Sequence, residues 1–478
     1  MTKQSFRAII VDGSVTGLTL AHCLDRAGID YVVLEKHHDI HPQLGASVVI
    51  FPNGGRILEQ LGVFQRVEEL SQKFERIRSC FPDGFHYDNS APEVVKKLFG
   101  LQFAILERRQ LLEVLYAELP DKSRIHVGKQ VSSVQTTASG ASVTTADGSI
   151  YDGDLVVGAD GIHSFVRSEM WRIADLEQPG LISQEEKSSL RVEFACIFGI
   201  SNSVQGAKSW DHVIRYNRDV TLFVFPGTNN GIFWLLFQKL DKWYTYPNVP
   251  QFTRDDAIAR CESLANLAVW NNIRFGDIWQ ERRSFHMTAL EEGLLKTWHY
   301  GRLVCIGDSV SKMTPNQGQG ANTAIESAAG LANVLYALRQ KTEVEMPSGN
   351  EISQVLEHFN KAQFRRLVGI HQGSQFLTRL QACDGLVKFI FARYVAPHCG
   401  NLTVAGIAGL ATSGPFLDFI PLTERSGRDW QPLPSWAPLV SSLAYGGTRA
   451  LVCLATLSVP TTAAYTLYKL ANSRVLHW

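Results

Sequence analysis

The chain has 478 residues, roughly three times the usual ~150-residue domain, so two or three domains are expected. Lysine plus arginine and aspartate plus glutamate both number 46, and a net charge of zero argues against a basic nucleic-acid-binding surface. Only 19% of residues are charged while 45% are hydrophobic, which excludes a disordered chain and leaves ample material for a large core.

Residues 6–11, Phe-Arg-Ala-Ile-Ile-Val, read as a buried strand, and the apolar run is too short for a signal peptide. Asp12-Gly13-Ser14-Val15-Thr16-Gly17 follows as a turn, then an apolar helix through Leu18, Leu20, Ala21 and Leu24 that Gly28 ends. Tyr31-Val32-Val33-Leu34 gives a second strand, closed by Glu35. Strand, turn, helix, strand and terminal acid in this order are the layout of a dinucleotide-binding βαβ unit. Small residues at the turn let a pyrophosphate meet the free N–H groups of the helix N-terminus, and Glu35 can accept hydrogen bonds from ribose hydroxyls. The fingerprint departs from its pattern, because Asp12 and Ser14 stand at the first and third positions and only Gly17 is kept. A carboxylate at position 12 should repel a nearby pyrophosphate.

A second apolar strand runs into Gly158-Ala159-Asp160-Gly161 and then a helix start bearing Ser164 and Arg167. Between residues 185 and 283 the pattern turns strand-like, at 191–200, 212–216, 221–225 and 232–240. Aromatics are dense there, including Phe223, Phe225, Phe233, Trp234, Phe237, Trp243, Tyr244 and Tyr246, and a wall of Phe and Trp suits an extended apolar substrate. A third motif, Leu303-Val304-Cys305-Ile306-Gly307-Asp308-Ser309, leads into Pro315-Asn316-Gln317-Gly318-Gln319-Gly320-Ala321-Asn322 and a helix over 324–338. A buried strand again ends in an acid, and a glycine-rich turn meets a helix N-terminus, where N–H groups suit a flavin carbonyl. The eight cysteines hold no Cys-x-x-Cys pair, so buried reduced thiols are expected. Near the C-terminus, residues 394–417 are uncharged, and residues 450–468 form a second uncharged stretch near the length of a membrane span.

The three motifs, in this order, resemble those of the group A flavoprotein monooxygenases of para-hydroxybenzoate hydroxylase-like fold. Residues 7–382 are more closely similar to the fungal FAD-dependent epoxidases of indole-diterpene and meroterpenoid biosynthesis. That similarity rests on Leu18-Thr19-Leu20-Ala21-His22-Cys23-Leu24, Val33-Leu34-Glu35-Lys36, Pro52-Asn53-Gly54-Gly55-Arg56-Ile57-Leu58 and Glu107-Arg108-Arg109-Gln110-Leu111-Leu112. It rests also on Glu169-Met170-Trp171-Arg172, Cys196-Ile197-Phe198-Gly199-Ile200 and Lys312-Met313-Thr314-Pro315-Asn316.

The resemblance implies an α/β protein: a Rossmann-like FAD-binding domain, an inserted β-sheet substrate domain and an apolar helical C-terminal extension. The implied segments are 1–182 and 286–340 for the FAD-binding domain and 183–285 for the substrate sheet. Residues 341–395 would be C-terminal helices and 396–478 the membrane-associated extension. It implies flavin contacts at Glu35, Val49, Arg108, Asp308 and Ala321, and a catalytic Tyr216 in the sheet. Val49 stands where the pattern usually has glycine, and Ser311 where it usually has histidine. No metal is implied. The implied reaction uses FAD, NADPH and O2 to epoxidise the terminal alkene of a farnesyl or geranylgeranyl chain on a prenylated metabolite, at an intracellular membrane such as the endoplasmic reticulum. Two alternatives stand beside it: an aromatic hydroxylase of the salicylate type, and a non-catalytic prenyl-binding escort.

Overall fold

The structure is a computed structural model, and it describes residues 6–42, 47–72, 74–207, 212–227, 231–341 and 346–425. Strand β1 (Arg7–Val11) is followed by α1 (Val15–Ala27), which Gly28 caps in the left-handed conformation, and by β2 (Asp30–Leu34). A short ladder, β3 (Ser47–Ile50) against β4 (Ala104–Glu107), leads into α2 (Arg108–Ala117). Strand β5 (Leu155–Gly158) and helix α3 (Phe165–Glu177) carry the second motif. Four long strands follow: β6 (Arg191–Ser201), β7 (Val213–Asn217), β8 (Val220–Pro226) and β9 (Ile232–Thr245). Then come β10 (Arg282–Leu294), β11 (Leu303–Cys305), α4 (Gly320–Lys341), α5 (Gly349–Gln381) and α6 (Gly400–Ser413).

The first sheet has the order His299–Tyr300, β11, β5, β1, β2, Ile125–His126. Its pairings from β11 through β2 are parallel and in step, with Val11 opposite Gly158 and Gly158 opposite Cys305. Ala8, Ile9 and Ile10 are fully buried, as are Leu155, Val156 and Val157, because the sheet is covered by helices and by a three-stranded antiparallel sheet of Val131–Thr136, Ala141–Thr145 and Ile150–Gly153. Gly17 makes that covering possible: a Cβ there would lie 1.9 Å from the Asp12 carbonyl oxygen. The Rossmann-like fold expected from the motifs is thus present.

The second sheet has eight strands, in the order Ser311–Lys312, β10, β6, β9, β8, β7, Ile77–Cys80, His86–Asn89. It is not confined to residues 183–285, since it takes its far edge from residues 77–89. Its two faces form different cores. Phe194, Cys196, Ile200, Ile214, Tyr216, Phe223, Phe225, Phe233 and Phe237 pack toward the first domain, with Val49, Phe51, Phe103 and Ile105. The residues between them, including Ala195, Ile197, Val213, Leu222, Val224, Trp234 and Leu236, pack outward on Phe275, Ile278 and Trp279. This is the period-two alternation of a pleated strand. It corrects the expected wall of Phe and Trp. Trp234 belongs to the outer core, its indole Nε1 donating to Ser201 Oγ at 2.9 Å, and Trp243 is exposed.

Residues 394–417 do not stand away from the body. Helix α6 docks through Arg366, which donates to Leu410 O at 2.9 Å, and Arg56 donates to Gly414 O at 2.7 Å just beyond it. Gln60 continues the seam to Leu417 O at 2.9 Å. No helix among the described residues is long and apolar enough to cross a membrane. The candidate span at 450–468, with the rest of the extension beyond residue 425, lies outside the described residues. The described cysteines are unpaired, and all but the half-buried Cys399 are buried.

Candidate active site

Because β1, β5 and β11 run parallel and in register, the three motifs leave the sheet at one edge, side by side. A crevice at the carboxyl ends of parallel strands is where open α/β sheets bind nucleotides. The turns interlock. Gly307 has φ +64, and a Cβ on it would strike Thr16 Oγ1 at 2.5 Å, so the third turn lies directly against the start of α1. Arg167, only 2% exposed, donates from Nη1 to Ser309 O at 2.6 Å and from Nη2 to Ile162 O at 2.7 Å. One guanidinium therefore pins the second motif to the third. Asp160 turns its carboxylate onto the N-terminus of α3, accepting from Phe165 N at 2.7 Å and Val166 N at 3.1 Å.

Glu35 is buried at the end of β2. Its Oε2 accepts from Gly13 N at 2.8 Å and its Oε1 from His37 N at 2.7 Å, which fixes the carboxylate across the mouth of the first turn. Each oxygen keeps a lone pair for a further donor. Asp12 adopts φ +89, a left-handed conformation that the missing glycine would take freely. Its Oδ2 accepts from Ser14 N at 3.2 Å. Burial, followed by the charges of Glu35 and Asp160, raises the Asp12 carboxyl from 3.8 to about 7, with Ser14 and Arg108 pulling the other way. Glu35, Asp160 and Arg108 accordingly lie close enough to act on Asp12 through their charge.

Arg108 opens α2 at the end of the β3–β4 ladder, and Val49 sits on the facing strand. Asn322 joins that ladder to α4. Its Nδ2 donates to Val49 O and Gly318 O, both at 2.9 Å, and its Oδ1 accepts from Phe51 N at 2.9 Å. Ala321 precedes Asn322 in the first turn of α4. Asp308 lies in the turn after β11 and pairs with Lys312. At Ser311, where the family pattern usually has histidine, an imidazole arrives from elsewhere: His371 of α5 places Nε2 3.1 Å from Ser311 Oγ. Burial lowers that imidazole to about 4, so it is neutral at ordinary pH.

Tyr216 stands apart from this nucleotide cluster, on the sheet face that packs with Val49 and Phe51. It is 5% exposed and stacks on Phe81 with ring centroids 4.9 Å apart. Burial holds its phenol well above the usual 10. It is therefore neutral and able to donate. Arg167 and Asn322 were not singled out from sequence as joining residues of the site. Both lie in or beside the motifs, where an Arg or Asn at a turn was a readable signal.

The crevice fits FAD on observations of the chain itself. Helix α1 has no acidic residue in its first turn, and its N-cap Ser14 makes no side-chain cap bond, which leaves the helix N-terminus to an anion. The FAD binding domain family matches residues 5–345. The FAD-dependent monooxygenase ctvC of Aspergillus terreus is 56% identical over 432 residues, covering 90% of this chain and 91% of that protein. The FAD-dependent monooxygenase aurC of Calcarisporium arbuscula is 50% identical, with 91% of each chain covered. Among solved structures, Klebsiella pneumoniae HpxO complexed with FAD and uric acid superimposes with a TM-score of 0.68 at 18% identity, over 86% of this chain and 97% of that one. At that identity the likeness speaks for the fold.

Proposed function

The chain belongs to the FAD binding domain family and is an FAD-dependent monooxygenase, and from that premise we propose that it epoxidises the terminal alkene of a farnesyl or geranylgeranyl chain carried by a fungal secondary metabolite, with NADPH as reductant. The observation that carries this reading is the inner face of the second sheet. Phe223, Phe225, Phe233 and Phe237 belong to one apolar cluster against which Val49 and Phe51 pack. Such a wall favours a long apolar chain over a small phenolic acid, whose carboxylate needs a cation.

Bound FAD would supply electron transfer and the activation of O2. The chain supplies the rest. The N-terminus of α1 would receive the pyrophosphate, Glu35 the ribose hydroxyls, Asp308 the ribitol hydroxyls and the backbone at Ala321 the ring end, with Val49 and Arg108 closing the near side. The phenylalanine face keeps water from the reacting atoms, so that oxygen is spent on the alkene rather than released as peroxide. Tyr216, neutral and anchored, donates a hydrogen bond that orients the substrate or steadies a developing alkoxide. The uncharged stretch at 450–468 supports attachment to an intracellular membrane, where such substrates partition.

The test is direct. Purified holoenzyme is incubated with NADPH, 18O2 and a farnesylated resorcinol, and products are read by mass spectrometry. A product heavier by one 18O atom, with the label in an epoxide, supports the reading. Label on the aromatic ring would support hydroxylation instead, and no NADPH-dependent label would refute both. Deleting residues 426–478 should move the protein from the membrane pellet to the soluble fraction.

A further inference from the structure

The run Pro52-Asn53-Gly54-Gly55-Arg56 opens a helix, Pro52–Gln60, whose side chains meet a carboxylate outside the flavin contacts assigned above. Glu326 of α4 is fully buried. Its Oε1 accepts from Asn53 Nδ2 at 2.7 Å, and the same amide donates at 3.1 Å to Oε1 of Gln319, which immediately precedes α4. Gly54 lies so near that a Cβ on it would stand 2.5 Å from Asn322 Oδ1. One side of the carboxylate thus belongs to the turn that starts α4. The other side belongs to the C-terminal segment. Arg366 of α5 forks onto Glu326, Nε to Oε2 and Nη2 to Oε1, both at 2.6 Å. The same guanidinium donates to Leu410 O and Ser413 Oγ, each at 2.9 Å. Gly414 closes over the pair, since a Cβ there would lie 2.9 Å from Glu326 Oε1. Just beyond it, the backbone N–H groups of Leu417 and Asp418 donate to the side chains of Gln60 and Asn333, at 2.9 and 3.1 Å.

A buried ion pair adds little net stability, because desolvation offsets its attraction, but displacing one partner strands a charge in the interior and is costly. Such a pair therefore holds the elements around it in one arrangement. We propose that Glu326 is a positioning residue that ties residues 410–420 to the turn at Gln319, so that docking of this segment and retention of FAD strengthen each other. The segment acts as a latch on the flavin, although none of its residues is assigned to the crevice. Linkage makes the effect mutual: the factor that docking adds to FAD retention is the factor that FAD adds to docking. The inference rests on the start of α4 receiving the flavin ring.

The experiment follows FAD release from full-length holoenzyme, read as the rise of flavin fluorescence on dilution, in a double-mutant cycle. Gln60→Leu removes the bonds to Leu417 and Ile420 and should speed release about tenfold, within the usual range of coupling between sites. Glu326→Gln removes the charge and turns a donor toward Arg366. It should speed release by a similar factor and also hasten hydrogen exchange at the Leu417 and Asp418 amides, whose partners are Gln60 and Asn333. The double variant should release FAD no faster than Glu326→Gln alone. A general weakening of the fold, or transmission along the helix Pro52–Gln60, would instead multiply the two effects. A multiplicative cycle, or no effect of either single variant, overturns the inference. Ala321→Val tests the placement of the flavin separately and should shift the visible flavin bands. If bands and release are both unchanged, that placement is wrong and the inference falls with it. Should Glu326→Gln give no folded holoenzyme, Arg366→Lys takes its place, because it keeps the charge and loses the fork. There too Gln60→Leu should lose its effect; if it keeps it, the inference is wrong.

Discussion

Asp12 occupies the position where a dinucleotide turn ordinarily has glycine, and its cost is measurable without substrate. Its carboxyl is raised from 3.8 to about 7 by burial and by Glu35 and Asp160. In the unfolded chain the group ionises near its ordinary value, so as pH rises from about 4 to 7 the unfolded state releases a proton that the folded state retains. Folded stability therefore falls across that window at about 1.4 kcal/mol per pH unit and is level above it. The full penalty at pH 8 is about 4 kcal/mol as an upper figure, and at pH 5.5 only about 2 kcal/mol has accrued. Asp12→Asn keeps the shape and the tolerance for φ +89 while removing the charge. In the FAD-free protein it should stabilise by about 2 kcal/mol more at pH 8 than at pH 5.5. For 478 residues unfolding together, 1 kcal/mol corresponds to about 1 °C, so differential scanning calorimetry should show a gain in Tm about 2 °C larger at the higher pH. A gain independent of pH, or none, would mean that Asp12 is not held among carboxylates, and the arrangement of the first turn would be wrong.

The same charge bears on FAD itself. Titrating FAD into apoprotein and following flavin fluorescence, affinity should weaken as pH rises through 7 in the natural protein and much less in Asp12→Asn. Arg167→Met strands the carbonyls of Ser309 and Ile162 and should cost about 3 kcal/mol, with loss of bound flavin seen in the ratio of visible to protein absorbance. Asn322→Leu breaks the clamp on Val49, Gly318 and Phe51, and should lower stability by about 2–4 kcal/mol in urea titrations and loosen FAD in parallel. Gly199→Ala would place a Cβ 2.2 Å from the Trp234 ring and should reduce soluble yield while leaving any folded fraction able to bind FAD.

The nucleotide half of the site could be read from sequence because its demands are local. A turn that must let strand, helix and phosphate approach closely announces itself in Gly17, Asp160-Gly161 and Gly307-Asp308, and Glu35 is fixed by its distance from that turn. The four long strands of the second sheet were found at nearly their observed bounds for a similar reason. What each strand faces was not legible. Both sides are buried, so Phe233-Trp234-Leu235-Leu236-Phe237 is apolar throughout, and no polar partner marks the phase of the alternation. The joining residues were hidden by distance along the chain. Gln381 meets Asn316 across 65 positions and Asn322 meets Val49 across 273, and neither pairing leaves any trace in the spacing. The edge strands at 77–89 escaped because they are short and polar on one side, and only tertiary pairing with β7 makes them sheet.

The strict exchange of faces along β8 and β9 limits how this protein's selectivity can drift. Inserting or removing a single residue would rotate Phe223 and Phe225 outward in β8 and swing Leu222 and Val224 into their place, or do the same to Phe233 and Phe237 against Trp234 and Leu236 in β9, emptying one core as it overfills the other. New substrates must therefore be reached by swapping one side chain for another at fixed length, and variation in length among its kin should collect in the hairpin tips.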